Sequence, residues 1–273
     1  MGFFDSLKNG FEITKASLKV VSKDPEFLAL PIIVGIIMIG VVVSFFLGNL
    51  FFSKLSLLFV ALFYLISFSL SYFIQAMVLE GAKVRFAGGD PSLGQAFSLA
   101  VKKLDKIIAL AVISAIVSIL VRAVSERGEK QGGIAGIVTQ LIAALIGASW
   151  TVVSYFSLPV ILNEDIGVFK SFSRSLELFK KTWGENFSSS VSLLILYIPA
   201  IIFALLAIAS LAIGLLILTI AFAFLFLLSL FLAAVIASVT KSIIAQALYE
   251  YASTGKVPGL MPQEQVKSFY KKK

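Results

Sequence analysis

The chain has 273 residues, 59% of them apolar and only 14% charged, with a mean hydropathy of +1.01 and a net charge of +8. A water-soluble domain has no way to bury that much apolar surface, so a soluble enzyme or binding module is excluded. Cys and His are both absent, which removes disulfides, thiol nucleophiles, imidazole ligands and His-based proton transfer.

Residues 1–26 carry eight charges and no continuous apolar core, so no cleavable signal peptide is expected and the first span serves as the insertion signal. Within them Phe4, Leu7, Phe11, Leu18 and Val21 recur at helical spacing, with Asp5, Lys8, Glu12, Lys15 and Lys19 on the other side. The spacing predicts an amphipathic helix. Met1-Gly2-Phe3-Phe4-Asp5-Ser6 fits the myristoylation pattern, but a lipid anchor is redundant beside several spans.

Runs of roughly 20 apolar residues then predict six spans, at 27–47, 55–79, 107–121, 134–158, 187–211 and 214–239. The third is short, with 15 residues between Lys106 and Arg122. Either those side chains snorkel to the headgroups or the helix only half-penetrates. The stretch 187–240 carries no charge and must fold as two spans joined by a turn near Ser210 to Gly214. Pro31, Pro159 and Pro199 lie inside or at the ends of spans and predict kinks.

Basic residues sort by side. One side holds Lys8, Lys15, Lys19 and Lys23, then Lys83, Arg85, Lys102, Lys103 and Lys106. It also holds Lys170, Arg174, Lys180 and Lys181, then Lys241, Lys256, Lys267 and Lys271 to Lys273. Of the 23 basic residues the other side keeps Lys54, Arg122, Arg127 and Lys130. That bias predicts a multi-pass protein of the cell membrane with both termini cytoplasmic. The basic surplus is then explained by topology and by attraction to anionic lipid, and no nucleic acid is expected as a partner.

A threefold pattern organises a single membrane domain over 1–273, as an amphipathic segment followed by two spans. Its units are 1–80, 90–163 and 166–240, with 241–273 a cytoplasmic C-terminal segment. In the second unit Asp90-Pro91, Ser92 and Gln95 supply helix-start chemistry, and Leu93, Phe97, Val101 and Leu104 form the stripe. In the third, Phe169, Phe172, Leu176, Phe179 and Trp183 face away from Lys170, Arg174, Glu177, Lys180 and Lys181. Glu177 and Lys181 are spaced for a helical ion pair. The fold class expected is therefore all-α, a polytopic transmembrane helical bundle of about six spans with three interfacial amphipathic helices on the cytoplasmic side. Lys15, Lys19, Lys102, Lys103, Arg174, Lys180 and Lys181 are the expected contacts to lipid headgroups. The alternative is that these helices are caps packed under the bundle.

In the fourth span Gly136, Ala143, Gly147, Ala148 and Ser154 keep one side small, as close helix packing requires. Gln75 and Gln140, with Ser154 and Tyr155, are the polar groups at depth. In a transport reading they touch solute, and otherwise they hydrogen-bond neighbouring helices. The predicted spans contain no Asp, Glu, Lys or Arg, which counts against ion-driven transport. Glu80 and Glu164 are interface residues. No GxGxxG, P-loop, HExxH or GxSxG motif occurs, so no catalytic, cofactor-binding or metal-ligating residue is assigned, and neither a cofactor nor enzymatic activity is expected.

Lys23-Asp24-Pro25-Glu26-Phe27-Leu28 running into Leu30-Pro31 makes one recognisable stretch. Ser149-Trp150 leading to Tyr155-Phe156-Ser157-Leu158-Pro159-Val160-Ile161 makes a second, which continues through Phe169 to Phe179 into Trp183-Gly184-Glu185-Asn186. With them the chain resembles, over nearly its whole length, an uncharacterised prokaryotic family of six-helix integral membrane proteins. The resemblance implies six spans and a prokaryotic, often archaeal, source, and it supplies no functional residues. The role expected is a membrane component that organises lipid or a membrane protein complex, with anionic lipid and a protein partner or a second copy of the chain as partners. The alternatives are a passive permease or channel for a small solute, and an intramembrane lipid-modifying enzyme.

Overall fold

Inside a bilayer a backbone amide finds no water, so an apolar span satisfies its hydrogen bonds internally as a helix. A computed structural model describes residues 3–51 and 56–268, the side chains of 3–7, 49, 51, 56, 182–191 and 268 excepted, and among these residues every regular element is helical. Phe4 and Leu7 of the first stripe, Trp183 of the third, Lys54 and Lys271 to Lys273 therefore lie outside the described side chains.

The helices are α1 (Phe3–Lys23), α2 (Ala29–Phe51), α3 (Ser56–Phe86), α4 (Leu93–Val101), α5 (Leu104–Gln131) and α6 (Gly133–Ser154). They continue as α7 (Ser157–Glu164), α8 (Val168–Ser192), α9 (Ile198–Ala212), α10 (Leu216–Thr254) and α11 (Gln263–Ser268). Six segments are long and apolar enough to cross a membrane: Pro25–Gly48, Leu57–Phe86, Leu104–Gln131, Gly133–Glu164, Leu193–Ala212 and Leu216–Thr254. Their apolar side chains are widely exposed, Ile217 to 84% for example. That is far more apolar surface than a chain in water leaves open.

The third span is not short. α5 runs unbroken for 28 residues through Arg122, about 42 Å at 1.5 Å per residue, which exceeds the ~30 Å hydrocarbon thickness. The fifth starts later than expected, because 187–192 completes α8 and a 3₁₀ turn over Leu193–Tyr197 leads into α9. Pro199 sits in the first turn of α9, where its missing N–H costs nothing.

The elements form two compact units, Ile32–Lys181 and Met1–Pro31 with Thr182–Lys273. In the first, α5 packs against both α3 and α6. Ile107, Leu110, Ala111, Ser114 and Ala115 are its buried face, and the Tyr72 hydroxyl meets Ser114 Oγ at 2.8 Å. Gly132 and Gly133, both at positive φ, reverse the chain between α5 and α6. Just before and after them the backbones touch. A Cβ on Gly136 would stand 2.6 Å from the Gly128 carbonyl oxygen, and one on Gly128 would stand 2.9 Å from that of Gly136.

α6 stops at Ser154 and α7 restarts at Ser157, so Pro159 lies in the first turn of a new helix. A continuous helix would drive its ring into the Tyr155 carbonyl one turn back. The break frees the buried Phe156 N–H, which donates to Ser175 Oγ of α8 at 2.9 Å. Ser175→Ala is expected to cost about 1–2 kcal/mol in detergent unfolding titrations, because it leaves that amide buried without an acceptor. Ser175→Thr, which keeps the hydroxyl, tests whether the bond rather than the volume matters.

In the second unit α9 and α10 make a hairpin through Gly214 at φ 76°, within the expected turn, pinned by Ser210 and Thr219 hydroxyls 3.0 Å apart. α10 is 39 residues long and continues well past the apolar run. Its last part is buried at Val239, Thr240, Ile243, Ile244, Gln246, Ala247, Leu248, Tyr249 and Tyr251. There it packs against α1, which also contacts α11.

Candidate functional site: amphipathic faces and a polar groove

An amphipathic helix beside a bundle has to split its surface between protein and surroundings. Each buries mainly small and aliphatic residues, and the aromatic side chains divide between exposed and packed positions. α4 buries Ala96 and Ala100 while Phe97, Val101 and Leu104 stay exposed, with the Phe97 ring edge-on to Phe73 at 5.5 Å. Its start follows the expected chemistry, Ser92 Oγ accepting the Gln95 N–H at 3.2 Å. α8 buries Val168, Ser171, Ser175 and Leu178, while Phe169 is 77% exposed. Phe172 and Phe179 lie along the flank of α6, 5.2 Å from Trp150 and 5.7 Å from Tyr155. α1 buries Ile13, Thr14, Ser17 and Val20 and leaves Phe11 exposed. Small residues four apart, Ala96 with Ala100 and Ser171 with Ser175, were the available signal for the packed face.

The basic residues divide into two groups. Lys103 and Lys106 both hold Asp165, the latter at 2.6 Å. Arg174 bridges Glu164 at 3.0 Å and Glu177 at 2.8 Å, and the expected pair of Glu177 with Lys181 forms at 3.0 Å. Lys103, Arg174 and Lys181 are thus engaged within the chain, while Lys15, Lys19, Lys102 and Lys180 are exposed. Lys15 and Lys19, with Glu12 and Ser22, also face Leu260 to Pro262 across a cavity of about 690 Å³. Glu80, expected at an interface, is buried at the end of α3, with Lys83 and Lys103 as its nearby charges.

Asp165 ends α7 in the left-handed region at φ 51°, a conformation Asp tolerates, and this turns its carboxylate toward both lysines. Hydrogen bonds from Lys103, then Lys106, hold its pKa down to about 2. A carboxylate depressed in the folded state adds stability above its unfolded value, about 4, and loses it as pH falls through the folded value. The contribution should fade between about pH 4 and pH 2. Asp165→Asn should flatten that part of the unfolding profile, by little because the group is solvent-exposed.

The polar groups expected at depth do not converge. Gln75 is half-buried in α3, and Gln140 is exposed with its Cγ lying over Gly128. Ser154 Oγ donates to the Trp150 carbonyl at 2.7 Å, and Tyr155 stacks edge-on with Phe156 and Phe179. Of the small residues named for packing, Gly136 and Ala143 are buried, whereas a Cβ on Gly147 would meet nothing within 4 Å.

Gly147 instead opens onto a groove of about 710 Å³ between α3, α5 and α6. Tyr64, Phe68, Val117, Val121 and Trp150 supply its apolar wall, and Arg122, Ser125, Glu126 and Glu129 its polar one. Arg122 Nε donates to Glu126 at 2.6 Å, and the guanidinium also contacts the Tyr64 side chain. Ending the third span at Val121 had put these residues outside the apolar run. The signal that places them together is helical phase, since Arg122, Glu126 and Glu129 stand at i, i+4 and i+7 on one face.

Residues 54–259 match the profile of DUF6159, a family of unknown function. The Lys23 to Pro31 stretch lies outside that match. No curated protein matches the chain.

Proposed function

We propose that this chain, which belongs to the family of unknown function DUF6159, is a non-enzymatic multi-pass component of the cell membrane that organises the lipid around it. Its termini and basic connections lie on the cytoplasmic side. The observation that carries this reading is the division of the amphipathic helices. Each docks through small or buried residues and keeps one aromatic ring exposed beside exposed lysines: Phe11 with Lys15 and Lys19, Phe97 with Lys102, Phe169 with Lys170. Rings at headgroup depth beside free ammonium groups attract anionic lipid. A protein partner or a second copy of the chain would meet the same outward faces. A passive permease, the second reading, needs a polar path past Gln75, half-buried in α3, or Gln140, exposed on α6.

The test is mass spectrometry of lipids retained through purification from mixed membranes. Anionic lipid should be enriched in the unmodified chain and lose that enrichment when Lys15, Lys19, Lys102 and Lys180 are changed to Gln. Equal retention in both would defeat the proposal. Sidedness is testable because the chain has no native thiol. Single cysteines at Lys8, Lys103, Lys180 and Lys267 should react with impermeant reagents only from inside, and one at Glu129 only from outside. Labelling at Lys103 from outside would reverse the arrangement.

A further inference from the structure

The groove between α3, α5 and α6 changes character along its length. α5 and α6 are antiparallel and meet at Gly128 and Gly136, so Gly147 lies level with Val117 and Trp150 level with Ser114. From Lys106, Arg122 lies about 24 Å along α5, Glu126 about 30 Å and Glu129 about 35 Å at 1.5 Å per residue. Against a hydrocarbon layer of ~30 Å counted from Lys106, the Arg122 backbone lies about 6 Å short of the far edge with its side chain directed outward to Glu126, and the two carboxylates stand at that edge and beyond it. The groove thus reads, from the membrane centre outward, as Trp150, Phe68 and Val117, then one cation, then two anions.

A phospholipid with an amine in its headgroup has the complementary order of acyl chain, phosphate and ammonium. We propose that this groove holds such a lipid, with the phosphate on Arg122 and the ammonium between Glu126 and Glu129. Glu126 takes the Nε donor of Arg122, and the N–H groups of the fork not turned to Tyr64 remain for a phosphate. The lining itself carries one guanidinium against two carboxylates and is net negative, with Lys130 acting on Glu126 from outside it. An anionic headgroup or free phosphate would therefore bring its surplus charge against Glu126 and Glu129. The site is independent of the sidedness proposed above and takes a lipid opposite in preference to the one attracted by the exposed lysines.

Trp150 lines the groove and is one of only two tryptophans, so Trp183→Phe leaves it as the sole reporter. In vesicles of equal phosphatidylethanolamine and phosphatidylglycerol, bromine on the acyl chains of one lipid quenches Trp150 when that lipid occupies the groove. Quenching by brominated phosphatidylethanolamine should exceed that by brominated phosphatidylglycerol by about threefold, and Arg122→Gln and Glu126→Gln should each bring the ratio to parity. Equal quenching in the parent, or a preference that survives both substitutions, overturns the proposal. So does relief of quenching by inorganic phosphate, which would make the site one for a free anion. Lipid mass spectrometry of the chain with both tryptophans present gives a second readout. Arg122→Gln should lose bound amine lipid and keep bound anionic lipid, and an unchanged amine-lipid content counts against the site while leaving the lysine-based reading intact.

Discussion

Gly136→Leu is expected to lower stability by about 3 kcal/mol in SDS unfolding titrations, at the upper end of what overpacking ordinarily costs. The obstacle is backbone, not a side chain that can rotate away. Even the first added carbon would stand 2.6 Å from the Gly128 carbonyl oxygen, and the branched remainder needs more room still. Relief requires moving α5 from α6 at the point where Gly132 and Gly133 hold them in a tight reversal. Gly147→Ala is the matched control on the same helix. Its Cβ meets nothing within 4 Å, so helix propensity alone should stabilise it by up to about 1 kcal/mol. Opposite signs from two glycines of one span would confirm that contact, not composition, sets the effect.

Leu248→Ala should cost about 2–5 kcal/mol, the range for a fully buried leucine whose site cannot collapse. The residue is 1% exposed, on the part of α10 that packs with α1 beyond the apolar run. Ile217→Ala, at the opposite end of the same helix, removes an 84% exposed side chain and should change unfolding by no more than about 0.5 kcal/mol. The same chemical deletion thus separates a side chain held by protein from one left to the surroundings. Equal effects at the two positions would show that the end of α10 is not packed as described.

The spans were legible because hydropathy integrates over a whole helix and no other element satisfies a long apolar backbone. The reversal near Gly214 was legible for a related reason, since a charge-free stretch twice the bilayer thickness has to turn somewhere. What escaped were features set by pairs of residues. Arg122 looked like the end of a span because a lone charge is costly in hydrocarbon, yet Glu126 one turn on accepts a hydrogen bond from its Nε–H and the helix continues. In α4 and α8, Ala96 with Ala100 and Ser171 with Ser175 supply the docking face, and small residues barely register in a hydropathy profile. The helical continuation of α10 past Thr240 was hidden by Lys241 and Glu250, both on a helix that is otherwise buried there. The groove itself was invisible, because its wall is assembled from three helices and joins Tyr64 of α3 to Thr151 of α6.

α10 contains neither glycine nor proline from Leu216 to Thr254, so it has no residue at which to bend sharply. A rod of that kind, greasy at one end and packed against α1 at the other, behaves as a lever. Tilting it by 10° displaces its packed portion, some 24 Å long, by about 4 Å at the tip. Changes in bilayer thickness, which long helices accommodate by tilting, would in this way be delivered mechanically to α1.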